Sequence, residues 1–485
     1  MITGEYWHLH DDAALRRLDA AAVRLVSEAG VRVNHEGLLD MLEGAGCRVV
    51  RAEGRCFIPE SLLREAIQRL GGRAGERVEF PAGWNPQHHL SHGGSYPHLL
   101  DWPSGLRRLA TRQDVANMAK MAHVLDEFER VGKVLTCSEI DQRVEPLWSM
   151  LQIAQITDKP IGSGEIFRAD YIEPLVRMGE VLSGKPGDTS LVASCDFFIE
   201  PLIFDRTQAE CFLEKRRFGI GNVPGTMPVS GMSAPVTLAG TVAVALAELM
   251  AGWVFGYVVN PELPAGGIVA SGSLDMRSAT ARFGSPEALL QDVTVVQACR
   301  RLYGIRVWAA TNYVDAKRPG LEAVFEKMLP LVGAPFGTDF APGGGGLLSA
   351  GQDYSPVQHL LDVEMQKAVE RFRGTFEVSD ETLALDLISE MMQRDSTNFL
   401  ETDHTLRHFR AEQWYPRWFD RSLWQGPEAE LQAEHRMLER VDRYWRDAVA
   451  RYVPPAADKA RLSELRRIFL TAERRILGAN ATPLP

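Results

Sequence analysis

Residues 220–270 read IGNVPGTMPVSGMSAPVTLAGTVAVALAELMAGWVFGYVVNPELPAGGIVA. Short apolar runs at residues 220–227 and 265–270 flank a long apolar stretch, residues 234–259, which has the length of a helix. A strand, a helix and a second strand in this order are typical of a βαβ unit, in which two parallel strands are joined by one helix. The stretch therefore predicts a parallel sheet covered by helices.

The same alternation of short apolar runs and helical stretches extends over much of the chain. The candidate strands are residues 131–137, 160–164, 191–195, 220–227, 265–270, 307–312 and 332–336, and an eighth is expected near residues 346–350. About eight such units within about 250 residues favour a closed (β/α)8 barrel of the TIM type. An open dinucleotide-binding sheet is not supported, because Gly219 and Gly221 lack the third glycine of its fingerprint. The fold class is therefore predicted to be α/β.

Two further regions flank the predicted barrel. Residues 1–110 are expected to form an N-terminal helical region that ends in a segment rich in glycine and aromatic residues. The barrel is assigned to residues 111–378. Residues 379–485 carry charged residues with apolar ones at helical spacing, which predicts a C-terminal helical extension.

The long apolar stretch at residues 234–259 requires comparison with a membrane span, which needs about 20 apolar residues. Glu248 lies in its middle, and Thr237 and Thr241 interrupt it. Ser233 followed by Pro235 is typical of a helix start. We therefore interpret the stretch as a buried helix and expect no contact with a membrane.

Composition excludes several classes of function. The chain has 485 residues, 45% of them hydrophobic, and a formal net charge of -11. An acidic chain without a basic run is poorly suited to nucleic acid, because neutralising phosphates requires clustered Lys and Arg. None of the six cysteines forms a Cys-x-x-Cys pair, and the N-terminus lacks a signal-peptide core. We expect a cytoplasmic protein.

Several segments, in order along the chain, carry a family resemblance. They are residues 92–101 followed by SGLRRLATRQDV, TDKP at 157–160, GMSAPVTLAG at 231–240, SGSLDMRSATARFG at 271–284 with Pro286-Glu287, DAK at 315–317, residues 380–387, and HTLRHFR at 404–410 ending at Asp420-Arg421. The ordered set resembles the trimethylamine:corrinoid methyltransferase (MttB-type) superfamily over about residues 10–421.

The resemblance implies an enzyme that moves a methyl group from a methylated amine to cob(I)alamin. It implies that this cobalamin is carried by a partner corrinoid protein, so that no tightly bound cofactor of its own is expected. A homo-oligomer is expected from the general behaviour of large barrels. Archaeal members of the family carry pyrrolysine near the strand that here reads VWAATNYVDAK, whereas this chain has Ala310, Thr311, Asn312 and Tyr313 there. That departure puts trimethylamine itself in doubt as the substrate.

The chemistry of the amine suggests why the substrate differs. Cob(I)alamin attacks the methyl carbon in line, and a neutral tertiary amine is a poor leaving group. A quaternary ammonium is permanently charged and leaves as a neutral amine. The protein would contribute positioning and electrostatics. We therefore expect a quaternary amine such as glycine betaine.

Candidate site residues follow from the strand ends, where TIM barrels place their active sites. We assign catalysis to Asn312, Asp339 and Glu165. Aromatic faces hold quaternary ammonium groups by cation–π attraction, and carboxylates attract the charge. The expected substrate-binding residues are Tyr96, Glu139, Asp196, Phe197, Tyr313, Phe336 and Phe340. The structural alternatives are core packing for the aromatics, and helix capping or pairing with an arginine at the barrel rim for the carboxylates.

The corrinoid is expected to approach two further segments. They contribute Asp275, Arg277, Gly343, Gly344 and Gly345. A rim ion pair between Asp275 and Arg277 and a plain flexible glycine loop are the structural alternatives. No metal site is assigned, although the histidines at 404 and 408 have zinc-ligand spacing and two cysteines end candidate strands.

Two other functions remain open from the sequence. The first is methyl transfer between methylcobalamin and a pterin such as tetrahydrofolate, for which Asn312 and Asp339 could supply the pterin-binding groups. The second is a barrel that binds a methylated amine without turnover, because fold does not determine function.

Overall fold

The computed structural model describes residues 8–71, 95–310, 313–333, 345–373, 376–394, 398–456 and 458–478. Its helices are α1 Asp12–Arg24, α2 Glu36–Gly44, α3 Glu60–Gly71, α4 Arg112–Val124, α5 Glu145–Ile156, α6 Ile172–Ser183, α7 Arg206–Arg217, α8 Leu238–Val259, α9 Pro286–Ala298, α10 Leu321–Gly333, α11 Pro356–Arg373, α12 Asp380–Leu383, α13 Leu385–Gln393, α14 Asp403–Glu412, α15 Pro427–Leu431, α16 Ala433–Ala450 and α17 Lys459–Leu477. Its strands are β1 Val31–Val33, β2 Arg48–Val50, β3 Arg55–Phe57, β4 His98–Leu100, β5 Arg107–Leu109, β6 Cys195–Phe197, β7 Ile203–Phe204, β8 Val223–Thr226, β9 Val229–Ser230, β10 Gly267–Val269, β11 Gly272–Asp275, β12 Thr280–Arg282, β13 Val307–Ala309, β14 Leu347–Leu348 and β15 Asp353–Tyr354. The protein is of mixed α/β class.

Parallel strands form the centre of the molecule. Strands β6, β8, β10 and β13 lie side by side in this order, all parallel. Parallel bridges continue this arrangement towards the N-terminus, between Gly164 and Val192, between Val131 and Ile161, and between Tyr96 and Leu135. The paired segments between residues 96 and 309 that are named here therefore run in the same direction. Their carboxyl ends meet at one edge, where ligand sites of parallel sheets lie.

Strand β15 belongs to a second group of strands, which begins at the same N-terminal segment. It pairs in parallel with β4, which lies directly after Tyr96. Among the described residues, β13 and β15 do not pair with each other. Two backbone hydrogen bonds join the segments that follow β13 and β14, from N of Ser349 to O of Ala316 at 2.9 Å and from N of Ala350 to O of Val314 at 2.7 Å.

Most of the predicted strands lie in parallel pairings, but one assignment was wrong over its described residues and another strand is shorter than expected. The runs at 220–227, 265–270 and 307–312 contain β8, β10 and β13, which confirms them. The run at 332–336 begins inside α10, because Val332 and Gly333 are helical, and its remainder lies outside the described residues. The expected eighth strand is only the two residues of β14, which pair with β15 in antiparallel fashion. Strands of two or three residues are too short to show a period.

Helix α8 confirms the buried-helix interpretation of residues 234–259. It is long and apolar enough to cross a membrane by length and composition, yet most of that window is buried inside the protein. It begins at Leu238, with Thr237 at its N-cap position, so the proposed start at Ser233 and Pro235 was too early. A β-carbon at Gly252 would lie 2.3 Å from Cβ of Pro224, so only glycine permits α8 to approach β8 this closely.

The C-terminal helices α16 and α17 pack against the helices that cover the parallel strands. Helix α16 contacts α4 and α11, and α17 contacts α5 and α6. Val441 and Phe469 are fully buried in the same core as the helices they cover. The helical extension expected from the sequence is therefore present, and this part of it belongs to the main body.

Candidate functional site

Glu165 and Tyr313 are the two predicted site residues that the structure brings within electrostatic range of each other. Glu165 directly follows the bridged residue Gly164, and Tyr313 lies four residues after the end of β13. The negative charge of Glu165 contributes to raising the pKa of Tyr313 to about 12, although burial is the larger cause. The two side chains therefore share one environment at the carboxyl edge of the parallel strands.

Burial sets the ionisation of Glu165. Its pKa is raised because its surroundings disfavour the charge, and the nearby Lys133 ammonium and a bond from Ser95 oppose that rise. The backbone N–H of Ser95 donates to Oε2 of Glu165 at 3.3 Å. Lys133 itself is buried and hydrogen-bonded to Glu145, so its positive charge acts on both carboxylates. A cation placed beside Glu165 would hold its carboxylate ionised.

The aromatic residues differ in what they offer to a ligand. Tyr96 is buried and stacks on Tyr354, with ring centroids 6.2 Å apart and planes within 8°, which places it in the wall of the core. Phe197 is partly exposed, and its ring covers Gly225, where a β-carbon would lie 2.5 Å from Cδ1 of Phe197. Since Gly225 has no side chain, it leaves the space that this ring occupies.

Tyr313 is positioned by its neighbours on two sides. Its ring centroid lies 5.5 Å from that of Phe283, at an interplanar angle of 44°. On another side lies Gly351, where a β-carbon would approach Cε1 of Tyr313 to 2.7 Å. Gly351 also has a φ of 88°, a conformation that favours glycine. Tyr313 is therefore held in place and partly open to the site.

A narrow pocket beside Tyr313 contains acidic residues that sequence reasoning missed. It is lined by Phe283, Asp292, Tyr313, Glu326 and apolar residues that include Leu329. The backbone N–H of the residue after β10, Ser271, donates to Asp292 at 2.7 Å. Burial raises the pKa of Asp292 to about 7, against the bonds from Ser271 that favour its ionised form. Asp292 lies within α9. The sequence alone does not show whether a single aspartate in a helix is buried or faces solvent.

A second missed group is the pair of carboxylates of Glu248, which is fully buried, and Glu200, which is partly buried. Glu248 accepts hydrogen bonds from the N–H of Leu202 at 2.8 Å and from the hydroxyl of Thr226 at 2.5 Å. Burial, with the charge of Glu200 as a smaller cause, raises the pKa of Glu248 to about 8. The pKa of Glu200 is also raised by burial. Two nearby carboxylates of this kind hold at least one proton between them near neutral pH.

Replacing Glu248 by glutamine should flatten the dependence of folding stability on pH. The folded pKa of about 8 lies above the ordinary value of 4.5, so folding binds a proton that the unfolded chain releases. The stabilising contribution is therefore present at pH 4.5 and declines as the pH rises to 8, by on the order of 4 kcal/mol at about 1.4 kcal/mol per unit. Urea unfolding at pH 5, 6.5 and 8 measures this decline, with the exposed Glu28→Gln as control. An unchanged slope in Glu248→Gln would contradict the shared-proton assignment.

The structure places Asp196 and Glu139 in structural roles. Asp196 is buried, and its two oxygens accept from Lys215 Nζ at 2.8 Å and from Arg216 Nη2 at 2.7 Å, both on α7. Glu139 is exposed and accepts at 2.7 Å from the backbone N–H of Arg112, the first residue of α4. The helix-capping and ion-pair alternatives therefore describe these two carboxylates better than substrate binding does.

The corrinoid contacts assigned to Asp275 and Arg277 stay a prediction, but the structural alternative of an ion pair between them is not the one formed. Asp275 pairs with the guanidinium of Arg282 at 2.8 Å across the β11–β12 hairpin. From Arg277 it accepts a hydrogen bond of the backbone N–H at 2.8 Å. Gly345 lies against His359, where a β-carbon would come within 2.2 Å of Nε2. Asn312, Phe336, Asp339, Phe340, Gly343 and Gly344 lie outside the described residues.

Metal-ligating residues do not converge in the described part of the chain. No group of three or more His, Cys, Asp or Glu side chains there could hold a metal ion. The rings of His404 and His408 lie 4.4 Å apart on α14, and Cys137 and Cys195 are free thiols whose pKa values are raised by burial. The described site is therefore built from carboxylates and aromatic rings.

A family profile covers nearly the whole chain, and curated relatives match most of it. The profile of the trimethylamine methyltransferase (MTTB) family matches residues 3–476. The trimethylamine methyltransferase MttB of Desulfitobacterium hafniense (strain DSM 10664 / DCB-2) is 25% identical over 416 residues, covering 83% of this chain and 82% of its own. The glycine betaine methyltransferase of Desulfitobacterium hafniense (strain Y51) is 25% identical over 463 residues, covering 92% of both chains. The crystal structure of Methanosarcina barkeri monomethylamine methyltransferase (MtmB) aligns with 92% of this chain and 90% of its own, with a TM-score of 0.44 and 11% identity.

Proposed function

Because the chain belongs to the trimethylamine methyltransferase family, we propose that it transfers a methyl group from a quaternary methylated amine to the corrinoid of a partner protein. Proteins of this family are methyltransferases of the methylamine:corrinoid type, so the chain is an enzyme of this class. The substrate class, the quaternary charge and the partner protein are the parts that we propose.

We also propose that the parallel strands close into an eight-membered barrel. The support comes from the pairings that run from Tyr96 to β13 and from the parallel pairing of β15 with β4, next to Tyr96. In the closed barrel, β13 and β15 are the two strands that must lie side by side. Residues 311–312 and 334–344 belong to the sequence between these two strands. In such a barrel Glu165 and Tyr313 lie at the catalytic face.

The observation that carries the proposal is the shared environment of Glu165 and Tyr313 at the strand ends. A quaternary ammonium has no N–H to donate, so it is recognised by charge and by aromatic faces. Glu165 supplies a partly buried carboxylate, and Tyr313, with Phe283 beside it, supplies aromatic surface. A neutral amine would leave the carboxylate without a counter-charge in surroundings that already disfavour its ionised form.

When the amine is quaternary, the methyl transfer requires no proton to be added or removed. The bond between the methyl carbon and nitrogen breaks with its electron pair remaining on nitrogen, and the methyl carbon becomes bonded to cobalt. Nitrogen starts with a positive charge and leaves as a neutral tertiary amine. The chain's own residues bind the cation, orient one methyl group towards the incoming corrinoid and exclude water.

Two further observations favour a quaternary substrate. The segment after β13 reads Ala310, Thr311, Asn312 and Tyr313, all ordinary residues, where archaeal relatives carry pyrrolysine. The glycine betaine methyltransferase covers more of this chain, 92%, than the trimethylamine methyltransferases of Desulfitobacterium hafniense (strain DSM 10664 / DCB-2) and Methanosarcina barkeri, 83% and 80%, at similar identity. A betaine is therefore the first substrate to test.

An anaerobic assay with cob(I)alamin tests the proposal. The purified enzyme is mixed with free cob(I)alamin and with a panel of quaternary and tertiary methylamines, and methylcobalamin formation is followed by its absorption. We expect methylation with a quaternary amine and none with trimethylamine. The same panel is repeated with a corrinoid protein, because free cob(I)alamin is a poor substitute if the enzyme requires its protein-bound form.

The assay also separates the competing functions. Activity with tertiary amines alone would overturn the quaternary assignment. Transfer from methylcobalamin to tetrahydrofolate, with no transfer from any amine, would favour the pterin reaction. Binding of an amine with no methyl transfer to either acceptor would favour the non-catalytic alternative.

A further inference from the structure

Helices α12–α14 lie within an arm of the chain, residues 376–412, that has almost no core of its own. The helices are 4, 9 and 10 residues long. Among the arm residues whose burial is described, Met391 is the only buried one. Isolated helices shorter than about 12 residues are marginal in water, and helices gain most of their stability from packing an apolar face. The arm therefore needs a surface to pack against.

Few contacts tie the arm to the rest of the chain. The guanidinium of Arg371, on α11, donates to the backbone oxygen of Glu412 at 2.9 Å. Within the arm, Glu381 lies 3.4 Å from His408 Nε2 and 3.8 Å from Arg407 Nη1, which links α12 to α14. These polar contacts lie mostly at the surface, where ion pairs stabilise a fold only weakly. They hold the helices near one another but do not bury their apolar side chains.

The exposed side chains of the arm form a large apolar surface. Leu385, Ile388 and Met392 lie at positions i, i+3 and i+7 of α13 and are 62%, 45% and 75% exposed. The arm's exposed large hydrophobic residues are Phe376, Val378, Leu383, Leu385, Ile388, Met392, Phe399, Leu400 and Leu406. At roughly 100 Å² each, these nine side chains together present on the order of 900 Å² of apolar surface.

We propose that this arm packs against a second copy of the same chain. Its apolar area is comparable to the roughly 800 Å² per partner of a stable protein–protein interface. Large, predominantly apolar interfaces are typical of permanent assemblies, and permanent assemblies are most often homo-oligomers.

Two other occupants fit the arm less well. A corrinoid partner must bind and leave in every reaction cycle, which would return the apolar surface to water each time. That point rests on the proposed function, whereas the area and the missing core do not. An anionic membrane is disfavoured by charge, because residues 376–412 contain nine acidic and three basic residues, a net charge of -6.

Sedimentation velocity of the full-length protein tests the proposal without substrate or corrinoid. The wild-type protein should sediment as a multiple of the 53.9 kDa chain at micromolar concentration. The double variant Leu385→Glu/Met392→Glu should shift to the single-chain mass, because it places two carboxylates in the interface. Leu400→Glu/Leu406→Glu should do the same from another part of the arm. Circular dichroism checks that both variants retain the helical content of the main body.

A matched control and three outcomes make the test decisive. Met41→Glu/Val453→Glu adds the same charge at residues 45% and 73% exposed outside the arm and should keep the wild-type mass. A wild-type protein of single-chain mass would overturn the proposal, as would arm variants that remain assembled. A single chain that assembles only when the corrinoid protein is added would assign the arm to that partner. None of these results depends on methyl transfer, so failure of the proposed reaction would be seen separately in the cob(I)alamin assay.

Discussion

Glu165→Gln should lower kcat/KM for a quaternary amine by about two to three orders of magnitude while leaving the protein folded. The substitution keeps the size of the side chain and removes its charge. Removing one partner of a desolvated charge pair costs about 2–5 kcal/mol, and each 1.4 kcal/mol is a factor of about ten. Steady-state assays with the wild type, Glu165→Gln and Tyr313→Phe measure this loss. Tyr313→Phe keeps the aromatic face and should have the smaller effect.

The pH profile of the same variants distinguishes electrostatic binding from a structural role. Because burial raises the pKa of Glu165, the wild-type rate should fall as the pH decreases through that raised pKa, where the carboxylate gains a proton. The acid limb of the profile should be absent in Glu165→Gln, which cannot titrate. A profile that keeps the same acid limb in Glu165→Gln would show that another group controls it. Glu28→Gln, on an exposed face of the N-terminal region, should behave as the wild type.

The second large effect concerns stability. Asp196→Ala should destabilise the fold by about 3–5 kcal/mol, because Lys215 and Arg216 would remain buried without their shared carboxylate. Urea unfolding measures the loss of free energy. Glu464→Ala removes the carboxylate of an exposed pair with Arg467 and should leave the free energy of unfolding close to that of the wild type.

The same variant also tests whether Asp196 binds the substrate. At temperatures where Asp196→Ala remains folded, the affinity for the amine should equal that of the wild type. A weakened affinity for the amine in a fully folded variant would show that Asp196 contributes to substrate binding. A change in stability no larger than that of Glu464→Ala would contradict the buried ion-pair role.

Sequence reasoning placed Glu165 and Tyr313 after strands because the order of strands and helices determines where strands end, and their role in the site stays a prediction. In a βαβ unit the residue that follows a strand lies at the carboxyl edge, whatever the details of packing. The general parallel arrangement and the buried helix α8 followed from the same periodicity. These features depend on the pattern over many residues, so the exact ends of each element matter little.

Asp196 shows where that reasoning fails. Consecutive side chains of a strand point to opposite faces, so Asp196 and its neighbour Phe197 cannot both point into the site. The apolar run before them is too short to reveal which face is inward. Asp292 and Glu248 were missed for another reason, since each lies in a helix and is buried by tertiary packing that the sequence does not encode locally. Their bonds to Ser271 and Thr226 connect residues 21 and 22 positions apart.

The apolar surface of α8 has a consequence for biosynthesis. The helix packs against α1, α3 and β8, which are synthesised before it, and against α9, which is synthesised after it. As the chain leaves the ribosome, the 22 residues of α8 therefore emerge before one of their covering helices exists. During that interval the apolar side of α8 that α9 later covers is exposed and prone to aggregation. Fragments that end between α8 and α9 should therefore be less soluble than the complete chain.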